Sequence, residues 1–277
     1  GKDDNDDSGS ISYLSLRYAG KVVGLGNELN GLSLGGIGRE TDIHHVEIMN
    51  NVDDGVEIWG GTVNLKYISI WNVGDDSFDV DEGWRGKAQF LFLVQGYSLD
   101  AKQGSGVGDN CFETDGAEDS DAQPVTTSAI YNATVIGNPI DGDGGTVWRD
   151  NARVQYRNCI FMDLGEKLVR PDGNDGDGAN GYGHNGTLSF ADTWTTDYSV
   201  TSTVNDCIGC SVGAINHGDT PYTAQTSRKL ADITDSVLFR NLHADAYTDS
   251  DTVGVTVGGG SNPDKNNVVI SGSDSAD

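Results

Sequence analysis

Apolar residues recur along the first two thirds of the chain in a fixed rhythm. Segments 11–16, 43–48, 65–70, 88–93, 130–135 and 156–161 each carry them at the first, fourth and sixth places. A second set of segments lies between these. Residues 53–58 read Asp-Asp-Gly-Val-Glu-Ile and residues 75–80 read Asp-Asp-Ser-Phe-Asp-Val, 22 residues later. Residues 109–114, Asp-Asn-Cys-Phe-Glu-Thr, are a looser copy, and 30–34, Asn-Gly-Leu-Ser-Leu, an earlier partial one. In each, a polar turn runs into a short strand whose side chains alternate apolar and polar, so one face is apolar and the other is not.

The chain therefore alternates strand, turn, strand, turn with a period near 22, and Val46 to Ile68 repeats the same spacing. A unit this short with no helix cannot bury its own apolar face; it does so by stacking on its neighbours as coils of a solenoid. Inward residues then pile into ladders: Leu14, Val46, Ile68, Leu91, Ala133 and Cys159; Leu16, Ile48, Ile70, Leu93, Val135 and Phe161; and Leu32, Val56, Phe78 and Phe112. A β-sandwich also has many short strands but imposes no fixed period. The expectation is an all-β, right-handed parallel β-helix over 11–210, after an acidic lead-in at 1–10. Degenerate last coils and a Gly/Ser/Asp-rich tail fill 211–277. There, 236–241 reads as one more strand or a short helix, and 253–257 and 268–271 are β-prone.

The stretches NELNGLSLGG, DDGVEIWGGTVNLKY and GDDSFDVDEGW resemble the right-handed parallel β-helix proteins of secreted bacterial type. These are the superfamily of pectate lyases and polygalacturonases, and the closest likeness is to an uncharacterised secreted group. The resemblance spans about residues 9–170. It implies an extracellular or cell-surface protein whose chain begins upstream of Gly1. Val73-Gly74-Asp75-Asp76-Ser77 looks like the Gly-Asp-Asp segment of polygalacturonases, and 51–55 loosely like their upstream Asn-Thr-Asp segment. The Gly-His-Gly and Arg-Ile-Lys segments of that family are missing, so the likeness points to shared coil geometry more than to hydrolysis.

Composition narrows the partners. A formal net charge of −26 repels nucleic acid and anionic membranes and favours cations. No stretch is apolar enough to span a bilayer, and no basic stripe or phosphate-cradling loop suggests a nucleotide. Thirty-nine glycines imply many tight turns. Cys111, Cys159, Cys207 and Cys210 allow three pairings, and the lone Cys-x-x-Cys at 207–210 lacks the second pair a zinc site needs. Residues 3–14 lack the Gly and Glu of a helix–loop–helix calcium loop, and read as solvated. The Gly/Asp/Asn run at 171–186 reads as a surface loop. With no capping helix at either end, a fragment, or a subunit that stacks end to end on copies of itself, is expected.

Candidate chemistry gathers on the second set of strands. If Val56, Ile58, Phe78, Val80, Phe112 and Thr114 point in, the residues between them point out. One outward column reads Ser33, Glu57, Asp79, Glu113; the next reads Gly35, Trp59, Asp81, Asp115; Val147 and Arg149 extend them. Stacked carboxylates about 5 Å apart repel by about 3 kcal/mol per pair at an effective dielectric near 20. Relief comes from a cation between coils, from a retained proton, or from Arg85, Lys87 or Arg149 folding over the strip. Glu57, Asp79, Asp81, Glu113 and Asp115 are thus candidate calcium ligands. Trp59, Trp84 and Arg85 form a candidate carbohydrate platform, since an exposed indole accepts sugar C–H groups. His44 and His45, adjacent in a strand, are expected on opposite faces, and His184, His217 and His243 lie in the poorly patterned half. A structural or interaction role at a surface, matrix or fibre is favoured. The alternative is a polysaccharide lyase or glycoside hydrolase acting through Glu57, Asp79, Asp81 and Glu113, in a cleft walled by 97–108 and 116–125. Asp79 and Asp81, about 6.8 Å apart by strand rise, would suit inversion.

Overall fold

A computed structural model describes residues 3–21, 23–24, 29–96, 108–116, 126–140, 142–150, 152–166, 168–171, 194, 229–239, 241 and 266–270. Long and short strands alternate. The first coil holds β1 (Ser10–Arg17) and β2 (Leu32–Gly35). The next two hold β3 (Asp42–Met49) with β4 (Val56–Trp59), and β5 (Asn64–Trp71) with β6 (Phe78–Asp81). Then come β7 (Lys87–Val94) and β8 (Phe112–Thr114). From there the long strand splits: β9 (Thr127–Tyr131) and β10 (Thr134–Ile136) precede β11 (Thr146–Trp148), and β12 (Arg153–Arg157) and β13 (Ile160–Met162) precede β14 (Val169–Pro171). The strands β15 (Asp232–Thr234), β16 (Val237–Phe239) and β17 (Val268–Ile270) follow.

Every pairing is parallel. The long strands make one 11-stranded sheet and the short strands one 6-stranded sheet. Since each coil pairs only with the coils above and below, the chain is a right-handed parallel β-helix. The stretch at 236–241 is a strand, not a helix, over Val237–Phe239, and it lies in register between β13 and β17. The stretches 97–107, 117–125, 172–193 and 253–257, with Cys207, Cys210, His184, His217 and His243, lie outside the described residues.

The expected ladders form the core. Leu16, Ile48, Ile70, Leu93, Val135, Phe161 and Leu238 are successive partners in one register, and all but Leu16 are buried. Each such side chain contributes about 1.5–3 kcal/mol by leaving water. Val56, Phe78 and Phe112 do the same behind the short strands, with Phe78 and Phe112 ring centroids 5.9 Å apart. Gly55 is held to the smallest side chain, because a Cβ there would come within 2.5 Å of Ser77 O and of Ile70. Cys111 and Cys159 are free thiols buried in this core, and burial pushes both well above the ordinary thiol range.

Each long strand turns a corner at its fourth residue, and in the later coils the same corner separates the two halves of the split strand. Tyr13, His45, Tyr67, Phe90, Asn132, Asn158, Asp235 and Asn266 all have φ between 50° and 60°. Their register neighbours place them in one column. Outside glycine, this left-handed conformation costs of order 1 kcal/mol, least for Asn and Asp. It also explains the first-fourth-sixth rhythm: the corner residue interrupts alternation, so two neighbours both face outward. His44 and His45 are therefore on the same side, not opposite ones, with Nδ1 atoms 2.7 Å apart.

The acidic lead-in is tied down. The Asp4 carboxylate receives Arg85 at 2.7 Å and Arg39 at 3.2 Å, and its carbonyl accepts from the Thr62 hydroxyl at 2.7 Å.

Candidate functional site

The short-strand sheet presents its polar residues as expected. Ser33, Glu57, Asp79 and Glu113 are partners in one register, and Gly35, Trp59 and Asp81 in the next. The apolar residues between them are buried, apart from Leu32 on the half-covered first coil. Val147 extends the first column beside Glu113.

The strip is divided in two. At its lower end Arg149 pairs with Glu113 and donates from Nε to Asp115 Oδ1 at 2.9 Å. Here a guanidinium offsets the stacked charge. Arg85 does not share this role, being held by Asp4, and Lys87 lies on the long-strand sheet beside Asn64.

At the upper end the acids draw in a partner from the turn. Oxygens of Asp54, Glu57 and Asp79 lie within 4.8 Å of one another. Asp53, Asp54 and Asp75 form a second such group, and Asp75, Asp76 and Asp109 a third. Asp54 and Asp76 are buried. The Asp54 Oδ1 accepts from the Asp76 backbone N–H at 3.0 Å, and Asp76 Oδ1 accepts from the Asn110 N–H at 2.6 Å. Each turn acid thus fastens the coil below it. The remaining oxygens face one another. Asp79 Oδ1 is buried without a hydrogen-bond partner.

Crowding and burial hold protons here. Glu57 is pushed up to about 7, chiefly by burial and further by Asp53 and Asp81, against hydrogen bonds from Asn30 and Asp79. Asp79 is raised well above the usual carboxylate range by burial, then by Asp76 and Asp115. Asp54 is raised by burial and by Asp79, and Asp76 to about 6 by burial despite its bonds to Asn110. Glu57 and Asp79 titrate as a pair, with burial raising both carboxyls.

The three residues expected to bind sugar separate. Trp59 is 37% exposed. With Asp4, Glu82 and Arg85 it borders a concavity of about 340 Å³. Trp84 is not a surface platform: it is fully buried, packs near Phe78, and donates its indole N–H to Val63 O at 3.0 Å. The turn after β6 folds it inward because the core has room for the ring and a carbonyl for its N–H. Arg85 is likewise committed to Asp4. Among the described residues, Asp81, Glu113 and Asp115 join no three-ligand group, and Asp81 accepts from the Glu82 N–H. Asp54 is the member of this cluster that the alternation of the strands did not point to. Its signal was present, since both Asp-Asp turns precede the same strand position.

The family model of the pectate-lyase-like beta helix domain matches residues 1–237. The chain belongs to that family. No curated protein and no solved structure matches it.

Proposed function

We propose that this β-helix is a cation-stabilised structural or interaction protein of the cell exterior, with calcium held by Asp54, Glu57 and Asp79. One observation carries the reading: three carboxylates from two coils and a turn converge within 4.8 Å around the unpartnered Asp79 Oδ1. Oxygens bound to one calcium at 2.3–2.6 Å stand no farther apart than about 5 Å. The all-oxygen donor set suits a hard cation. Such an ion would replace the protons that the cluster otherwise retains. The charge of −26 fits a medium rich in divalent cations. End-to-end contact with copies, through the half-covered Leu14 and Leu16 of the first coil, belongs to the same reading.

Calorimetric titration of calcium into the metal-free protein tests it. Binding that releases protons and is lost in a Glu57→Gln/Asp79→Asn variant supports the proposal. Equal binding by that variant, or none by the wild type, overturns it. A second reading rests on two adjacent carboxyls, Glu57 and Asp79, both raised above the ordinary range: a general acid and a carboxylate, in a polysaccharide lyase or hydrolase. Their spacing is nearer the ~5–5.5 Å of retaining glycosidases than the ~6.5–9.5 Å of inverting ones. A polysaccharide-degradation screen, with the same double variant as control, decides between them.

A further inference from the structure

Successive coils of the long-strand sheet place Ser12-Tyr13, His44-His45, Lys66-Tyr67 and Gln89-Phe90 at the same two positions. Only the second of these coils offers two imidazoles. Plain alternation would send them to opposite sides of the sheet. The left-handed corner at His45, with φ 52°, puts both on one side, and their Nδ1 atoms stand 2.7 Å apart. Two ring nitrogens that close cannot both carry a proton, and two bare lone pairs repel. They share one proton or they face one cation.

Each ring is also held from elsewhere. The His44 Nε2 lies 3.4 Å from Asp42 Oδ2. A carboxylate there favours the tautomer with its proton on Nε2, which leaves the Nδ1 lone pair for a metal. The His45 ring is sandwiched between Tyr13 and Tyr67, with centroids at 4.7 and 4.5 Å. The His44 ring stands at 85° to it and edge-on to Tyr13. The pair borders a groove of about 590 Å³, which has room for water beside it and Glu40 on its rim.

We propose that His44 and His45 chelate a late divalent transition metal of square or tetragonal preference, copper(II) first among them. The spacing selects the metal. Two nitrogens bound at ~2.0–2.1 Å stand about 2.9 Å apart at neighbouring corners of a square, and about 3.3 Å apart in a tetrahedron. The 2.7 Å between the two Nδ1 atoms fits the square. Copper(II) and nickel(II) take that arrangement, zinc takes the other, and copper heads the affinity order for nitrogen ligands. Calcium is disfavoured here. Lys66 and Lys87 border the same groove, and a hard ion held by charge alone meets their repulsion with no carboxylate cluster to offset it. A borderline ion gains instead from directed bonds to nitrogen.

Other coils supply the test variant. His44→Gln/His45→Asn places Gln where the sheet already has Gln89, and Asn where it has Asn132, so the fold is kept. Calorimetric titration of Cu²⁺ into the metal-free full chain should reveal a site of micromolar affinity or tighter, weakened roughly tenfold or more in that variant. Electron paramagnetic resonance of the frozen wild type at one equivalent of Cu²⁺ should give a tetragonal signal split by two imidazole nitrogens, and the variant should lack it. Glu57→Gln/Asp79→Asn should bind Cu²⁺ as the wild type does, which keeps this site separate from the calcium proposal. An unchanged affinity and signal in the histidine variant overturn the proposal. So does a wild type that binds no Cu²⁺, or one whose bound Cu²⁺ is displaced by an equal concentration of Zn²⁺.

Discussion

The two ends of the acidic strip hold the same kinds of residue on neighbouring strands of one sheet, and solve the same problem differently. Below, Arg149 reaches Glu113 and Asp115, and both are offset by a charge the chain carries. Above, Glu57 and Asp79 meet Asp54, and the acids are relieved by holding protons. A guanidinium is permanent, whereas a proton can be exchanged for a metal ion. The difference teaches that a column of acids is not by itself a site; what decides is whether the chain closes it with a cation of its own.

The comparison can be broken at its lower end first. Arg149→Met should cost about 2–4 kcal/mol in metal-free buffer, since two half-buried carboxylates lose their partner. Urea unfolding measures this, and a loss below ~0.5 kcal/mol would mean that Arg149 is not what offsets them. At the upper end, Glu57→Gln/Asp79→Asn should raise metal-free stability by about 1–2 kcal/mol through lost repulsion. It should also remove the gain from saturating calcium, about 2.7 kcal/mol at a hundredfold excess over Kd in the wild type. The pH dependence sharpens the point. Glu57 has an ordinary value of 4.5 and rises to about 7 on folding. Between these values the folded state holds a proton that the unfolded chain has released, so metal-free stability falls as pH rises through that window. Thermal melting should follow by a few °C. Calcium should flatten the slope, because it binds more tightly as the proton leaves. The smallest effect belongs to Asp81→Asn, which lies on the strip but outside the cluster. It should shift stability by less than ~0.5 kcal/mol and leave calcium affinity unchanged within about twofold.

Much of this architecture could be read from the chain. Alternation at Val56-Glu57-Ile58 and Phe78-Asp79-Val80 gave the inward and outward columns, and the 22-residue period aligned them. What escaped was of two kinds. The corner at Tyr67 hides in a three-residue gap between Leu65 and Ile68, a spacing that plain alternation cannot produce; Asn132 and Asn158 at the matching place were the clue. The other misses are contacts that no local pattern encodes. Asp4 finds Arg85 from 81 residues away. Asp54 looked like an ordinary turn former until the next coil's Asp76 N–H was placed against it. Trp84 looked exposed because its neighbours are polar, yet Val63 O lies within reach of its indole inside the coil.

Two of the four cysteines, buried among the described residues, give the molecule a clock. Cys111 lies at the entry to β8 and Cys159 between β12 and β13, in different coils and different walls of the solenoid. Neither can become a thiolate while its coil stays shut. A thiol reagent added to the native protein therefore times the opening of each coil separately. Repeating the labelling with and without calcium would reveal whether the ion latches only the wall it touches or the whole stack.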